Sequence, residues 1–439
     1  MQFYSESHRE VLAALAVDAR RDDPYAVRRA CVECARLVLH RDAVRHEMVS
    51  DGELLPQLVD AASGHVYSQP EVVADLCRFL QRLVSLKEPT ELDIQSKIVE
   101  SGCLPLLPRA IRTHTSDRLF VEACRLVALL SFDMPAAPHV SNFVLADNQD
   151  EIAATGLLHA VCDRLRDSTN ERAVAAGCEA VRALVYEHAC VSEQTLATGA
   201  LQGVVKFLES NSSWRDRLQS ESELLLLMWH VVKAVEIVVR HNGNEYQLSA
   251  SDSAKDELCA IDGLSAITTL LSQIMRPKLG GNRHSPSRTE RSALHFVTCM
   301  LFCRVATTSD ELPDLANDRI MSLVQAGAHQ FALGVVQAAG KSIGKAHDAN
   351  LLRAVEQAVR LLQLVASLGE YRHHCKPGGW KTRLIRRWVM YSLLEVNRTP
   401  LTRLGASRLV KVVYNLIDMT AEPGLVVLCE RAVAAIEGT

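Results

Sequence analysis

Val49-Ser50-Asp51-Gly52-Glu53-Leu54-Leu55-Pro56 closes one short apolar segment and opens another, and the pattern returns as Val99-Glu100-Ser101-Gly102-Cys103-Leu104-Pro105-Leu106. Four more versions follow: Ala154-Thr155-Gly156-Leu157-Leu158, Ala197-Thr198-Gly199-Ala200-Leu201, Ala260-Ile261-Asp262-Gly263-Leu264 and Val324-Gln325-Ala326-Gly327-Ala328. Glycine reaches positive φ at little cost, so it can end one helix and re-aim the chain within a residue or two. A glycine repeated in this setting marks a repeated corner. Recurrence at roughly 40 to 47 residues is the signature of stacked helical repeats, with insertions stretching the period locally.

Composition agrees with such a stack. Hydrophobic residues make up 48% of the 439 and aromatics only 5%, so the core is built from Leu, Val, Ile and Ala. The 13 cysteines stand singly in helical patterns, which suits a reducing compartment where thiols act as small core hydrophobes. No basic segment followed by an apolar one opens the sequence, and no lipidation box closes it. The longest apolar run, 224–239, holds His230, Lys233 and Glu236 and falls short of the ~20 residues a bilayer needs. No membrane partner is expected.

Between the corners the unit can be followed. Asp22-Asp23-Pro24 opens a first helix, along which Val27, Ala30, Cys31, Cys34, Leu37 and Val38 share one face. A short helix then carries Val44, Met48 and Val49 to Gly52, and a second runs from Leu54 to about Ala62. A third starts at the capping box Ser68-Gln69-Pro70-Glu71, with Val73, Leu76, Cys77, Leu80, Leu83 and Val84 inside. The order returns with Ile94, Ile98 and Val99 before Gly102 and the stripe Leu119, Ala123, Leu126, Val127, Leu130. It returns again around Gly156, with the stripe Val174, Cys178, Val181, Leu184, Val185.

This cycle resembles the armadillo repeat: a short first helix ending in Gly, a second beginning with an apolar-Pro run, and a long third helix with a small residue near its middle. Leu55-Pro56 and Leu104-Pro105 match the second-helix start, and Ala123 and Ala180 suit the small position. The resemblance covers about 25–368 and implies an all-α, right-handed superhelical α-solenoid of three-helix repeats with atypical caps, sharing one continuous apolar spine. It also implies protein partners held along the groove formed by the repeats.

The domain organisation follows. Residues 1–371 read as the solenoid, with loop insertions near 210–222, 241–255 and 276–290, because Gly199 to Gly263 and Gly263 to Gly327 each span 64 residues. Residues 372–439 read as a basic helical cap. From Arg372 to Lys411 there are ten basic residues and one acid, a charge of +9, which leaves −13 for the rest of a chain whose formal charge is −4. Arg372, Lys376, Lys381, Arg383, Arg386 and Arg387, interleaved with Trp380 and Trp388, suit an acidic polymer such as a tubulin surface or RNA, gripped by counterion release and stacking.

Motifs that imitate catalysis fail on context. Ala339-Gly340-Lys341-Ser342 lacks the spacing and the strand of a phosphate loop, and His40-Arg41-Asp42 reads as a helix-to-helix corner. Cys31 and Cys34 form a lone CxxC on an apolar stripe, and the adjacent His373-His374-Cys375 cannot easily converge on one ion. No catalytic residue, metal or cofactor is expected. The array of Trp and Asn that importin-α-like proteins repeat along their third helices is missing, and the Arg residues there form no regular row of the catenin-like kind.

The expected function is thus a non-catalytic interaction scaffold or adaptor, with Trp229, Tyr186 and His188 as candidate anchors. The alternatives are a structural or assembly factor in a cytoskeletal, ciliary or ribonucleoprotein complex that docks through the basic end, and a chaperone-regulator-like armadillo protein. The expected compartment is the cytoplasm, the nucleus being left open, and the sequence indicates no oligomeric state.

Overall fold

The structure, a computed structural model, describes residues 23–40, 42–50, 52–84, 91–131, 143–186, 189–209, 221–239, 245–274, 288–307, 313–340, 349–366 and 430–431. Every regular element among them is an α-helix. A first helix, α1 (Pro24–His40), is followed by six triplets. The first three are α2 (Asp42–Ser50), α3 (Leu54–Gly64), α4 (Pro70–Leu83); α5 (Glu91–Glu100), α6 (Leu106–Thr113), α7 (Asp117–Ser131); and α8 (Phe143–Ala154), α9 (Leu157–Asp167), α10 (Glu171–Val185). The last three are α11 (Ala189–Ala197), α12 (Ala200–Glu209), α13 (Glu221–Val238); α14 (Glu245–Ala260), α15 (Gly263–Ile274), α16 (Arg288–Ala306); and α17 (Pro313–Gln325), α18 (Ala328–Gly340), α19 (Ala349–Ala366). The all-α solenoid of three-helix repeats is the observed fold.

Each first helix meets its second at a left-handed residue. Gly52, Gly102, Gly156, Gly199 and Gly327 have φ between 70° and 82°. At the fifth corner the sequence points to Gly263, but Asp262 takes the left-handed conformation, with φ 55°. Aspartate tolerates this region better than most L-residues. Gly263 begins α15, where an added Cβ would come within 2.6 Å of Leu258 Cδ1 and 2.9 Å of Val205 Cγ2.

Contacts gather the chain into two compact units, 1–204 and 205–439, where the sequence predicts one continuous spine. The three-helix plan is followed in both. In the first unit third helices pack side by side in the order α1, α4, α7, α10, second helices pair α6 with α9, and first helices pair α5 with α8. In the second, third helices run α13, α16, α19, with α14 on α17 and α15 on α18. The predicted stripes are the core. All the residues named on α4, α7 and α10 are buried, and on α1 only Leu37 is half-exposed. Burial of each such aliphatic side chain stabilises by about 1.5–3 kcal/mol.

Helix ends follow local chemistry. Asp23 opens α1, its carboxylate accepting from the Tyr25 N–H at 2.9 Å and its carbonyl from the Val27 N–H at 3.1 Å. Asn170 does the same for α10 through the N–H groups of Arg172 and Ala173. The capping box expected at Ser68 does not form. The Ser68 hydroxyl donates back to the His65 carbonyl, which leaves Gln69 as an N-cap without a side-chain bond and Pro70 in the first turn. Residues 245–255, expected in a loop insertion, belong to α14. The surplus length there extends helices: α14 has 16 residues against 9 in α2, and α16 has 19 against 14 in α4.

A recurring device closes the open carbonyl ends of the third helices. Seven residues before four of the left-handed corners stands a buried polar side chain: Arg45, Gln95, Gln149 and Lys255. Gln95 donates to the Leu129 carbonyl at 2.8 Å, Gln149 to those of Ala183 at 2.9 Å and Tyr186 at 3.2 Å, and Lys255 to that of Thr307 at 2.9 Å. A helix leaves its last four carbonyls without intrahelical partners, and here the repeat's own first helix supplies them.

Candidate functional site

The four third helices of the first unit share a register marked by their cysteines. Cys31, Cys77, Cys124 and Cys178, on α1, α4, α7 and α10, lie 46, 47 and 54 residues apart and are all buried. Burial raises the Cys77 thiol well above its ordinary range, and the nearby Cys103, Glu122, Cys31 and Cys124 add to the effect. Burial likewise raises Cys124, reinforced by Cys162 and Cys178. The alignment follows from the side-by-side packing of α1, α4, α7 and α10, with a ladder of buried cysteines, one at the like position of each. Cys31 and Cys34 are core packing, as their place on the apolar stripe implies; burial pushes the Cys34 thiol up to about 12.

Counting outward from this ladder gives the open face. The residue after each cysteine points away from the core: Val32, Arg78, Arg125 and Glu179, of which the first three are exposed and Glu179 half-buried. Six residues before each cysteine stand Tyr25, Glu71, Arg118 and Arg172. The face changes character from helix to helix: α1 is apolar at these positions, whereas α4, α7 and α10 are charged.

Ion pairs organise the charged part. Asp75 on α4, only 3% exposed, accepts from Arg28 Nε of α1 at 2.8 Å and from Arg118 of α7, and Arg118 also reaches Glu71. One buried carboxylate thus ties three consecutive third helices. Gln81 adds donations to the carbonyl and carboxylate of Glu122 at 2.7 and 2.9 Å. Arg78 and Arg125 stand apart from this network. They are exposed, occupy the same register on neighbouring helices, and have no hydrogen-bond or ion-pair partner among the described residues. Along the sequence the Arg residues form no regular row; the structure aligns these two, with Val32 and Glu179 at either side.

Two ion-pair clusters lie inside the second unit. Arg319 of α17, 2% exposed, donates to Asp256 at 2.7 Å and to Asp252 at 2.8 Å, which binds α17 to α14. Glu236 of α13, fully buried, is paired with Lys233 and with Arg304 of α16, each at 2.7 Å. Arg319 and Arg304 thus tie neighbouring repeats, while the Lys233–Glu236 pair lies within α13. Of the candidate anchors, Trp229 is half-buried with its ring edge-on to His230 at 5.2 Å, and Tyr186 is half-buried. His188 lies outside the described residues. Arg372, Lys376, Trp380, Lys381, Arg383, Arg386, Arg387 and Trp388 also lie outside them; of 372–439 only Glu430 and Arg431 are described, helical and exposed. Among the described residues no group of His, Cys, Asp and Glu is placed to hold a metal, and no helix is long and apolar enough to cross a membrane.

No family model matches this chain, and no curated protein sequence does so significantly. Solved structures do match in fold. A chain from a study of the phosphorylation switch controlling the interaction between cadherin and β-catenin aligns with TM-score 0.56 at 13% identity, covering 99% of this chain and 77% of that one. A designed armadillo repeat protein in complex with a (KR)4 peptide gives 0.43 at 16% identity, covering 70% and 98%. SYS-1 gives 0.43 at 10%, covering 94% and 63%. The likeness is one of fold alone.

Proposed function

We propose that this protein is a non-catalytic scaffold that holds protein partners across the third-helix face of its first unit. The observation that supports this most is the aligned pair Arg78 and Arg125. On a face where the neighbouring charges are satisfied by one another, two exposed guanidinium groups in register are left with their donors open, and a planar five-donor fork suits a partner's carboxylates. A similar fold solved in the context of an interaction between two proteins agrees with this use, by analogy of fold alone. The test is affinity purification of the full chain beside an Arg78→Glu/Arg125→Glu variant. A set of partners lost with the variant, at unchanged helicity, supports the reading; an unchanged set contradicts it.

A second reading rests on the +9 charge of residues 372–411. There the chain docks on an acidic polymer in a cytoplasmic or cytoskeletal assembly. Binding that weakens steeply with salt and vanishes on charge reversal at Arg383, Arg386 and Arg387 supports it; binding that survives the reversal excludes it.

A further inference from the structure

We infer that the occupant of this face is an acidic amphipathic helix, seated with its apolar side on α1 and its acidic flank toward Arg78. The inference rests on the scaffold reading and specifies the partner. Five large hydrophobic side chains are strongly exposed among the described residues, and three of them belong to α1: Tyr25 at 76%, Val32 at 50% and Leu39 at 54%. They are seven residues apart. Seven residues turn an α-helix to within about 20° of its starting direction, so the three form one straight stripe. At the corresponding register α4 carries Glu71 and Arg78, and α7 carries Arg118 and Arg125. The stripe is therefore a feature of α1 alone, lying beside a charged surface.

The spacing selects the shape of the ligand. Successive stripe residues rise about 10.5 Å along α1, the distance between i and i+7 on a helix laid alongside, whereas an extended chain repeats its same-face side chains every ~6.7 Å. The charges select its sign. Arg36, one turn beyond Val32, and Glu33 neutralise each other at 2.8 Å, so the open positive charge is that of Arg78 and Arg125, exposed in the Val32 register on the next two third helices. Arg78 stands beside Val32 on the next helix. A ligand helix with apolar residues at heptad spacing and acidic residues on its flanks meets all of these. A second copy of α1 brings no such acidic flank, since its Glu33 is held by its own Arg36.

The experiment is selection of a displayed library of random 18-residue peptides on the full chain, on its Val32→Glu and Leu39→Glu variants, and on Arg78→Glu/Arg125→Glu. The altered side chains are exposed, so far-UV circular dichroism should match the parent. The expected result is enrichment of net-acidic peptides with helical apolar spacing, recovered about tenfold less well on Val32→Glu and Leu39→Glu, as for a lost anchor. Enrichment of nonperiodic or basic peptides, or no enrichment, overturns the inference. Peptides that ignore Val32→Glu but are lost on Arg78→Glu/Arg125→Glu overturn the helix while keeping the scaffold; peptides lost on no variant remove both. Self-association in sedimentation velocity that Val32→Glu abolishes, or Val32-dependent flotation with phosphatidylserine vesicles, would assign the stripe to a second copy or a lipid surface and also overturn it.

Discussion

Asp262 holds the left-handed corner that five other repeats give to glycine, and Gly263 beside it answers a different demand, close approach. Substitutions at left-handed corners therefore depend on which residue type is brought in. Asp262→Gly should leave stability within about 1 kcal/mol of the parent, whereas Gly102→Ala, which forces alanine to φ 82°, should cost about 1–2 kcal/mol. Urea denaturation measures both. His295 on α16 makes a second residue-scale prediction. Burial first, and then Arg291, lower its imidazole from 6.5 to about 4, and its ring lies edge-on to Phe331 at 5.8 Å. The unfolded chain then takes up a proton on this group from about 6.5 downward while the folded one refuses it until about 4. Stability is lost as pH falls through that window, and His295→Gln should flatten the loss.

The elements show what the sequence displayed and what it hid. The third-helix stripes and the corners were legible because each rests on local spacing: 3.6-residue periodicity on α4 and α7, and glycine at an abrupt reversal. Gln149 was not, because its value depends on which helix ends lie over it. Gln149→Leu leaves the Ala183 and Tyr186 carbonyls without their side-chain donor and should cost about 1–3 kcal/mol in denaturant midpoint experiments. Gly203 in α12 was equally silent. Helix propensity alone favours Gly203→Ala by about 1 kcal/mol, yet the new Cβ would sit 2.5 Å from Arg166 Cα, which is backbone and cannot step aside. The prediction is net destabilisation. The 241–255 stretch misled in the other direction. The 64-residue spacing from Gly199 to Gly263 read as an insertion, but α14 puts Asp252, Lys255 and Asp256 to use around Arg319.

At the scale of the molecule, the first unit is distinguished by its cysteines. Seven of them, Cys31, Cys34, Cys77, Cys103, Cys124, Cys162 and Cys178, are buried with thiols raised by that burial. Each favours the folded state below the ordinary thiol value of 9 and ceases to do so as pH climbs from there toward 12, so alkaline unfolding should begin steeply above about pH 9. The face proposed for partners was legible only in part. The charge excess of 372–411 draws attention in the sequence, while the aligned Arg78 and Arg125 and the stripe on α1 emerge once the cysteine ladder sets the register. That register is the central claim, and thiol labelling of the native protein, mapped by mass spectrometry, tests it most directly. Cys31, Cys77, Cys124 and Cys178 should stay unmodified in native buffer while cysteines introduced one residue later, by Val32→Cys, Arg78→Cys and Arg125→Cys, label at free-thiol rates. Rapid native labelling of the four, or protection of the introduced three, would contradict it.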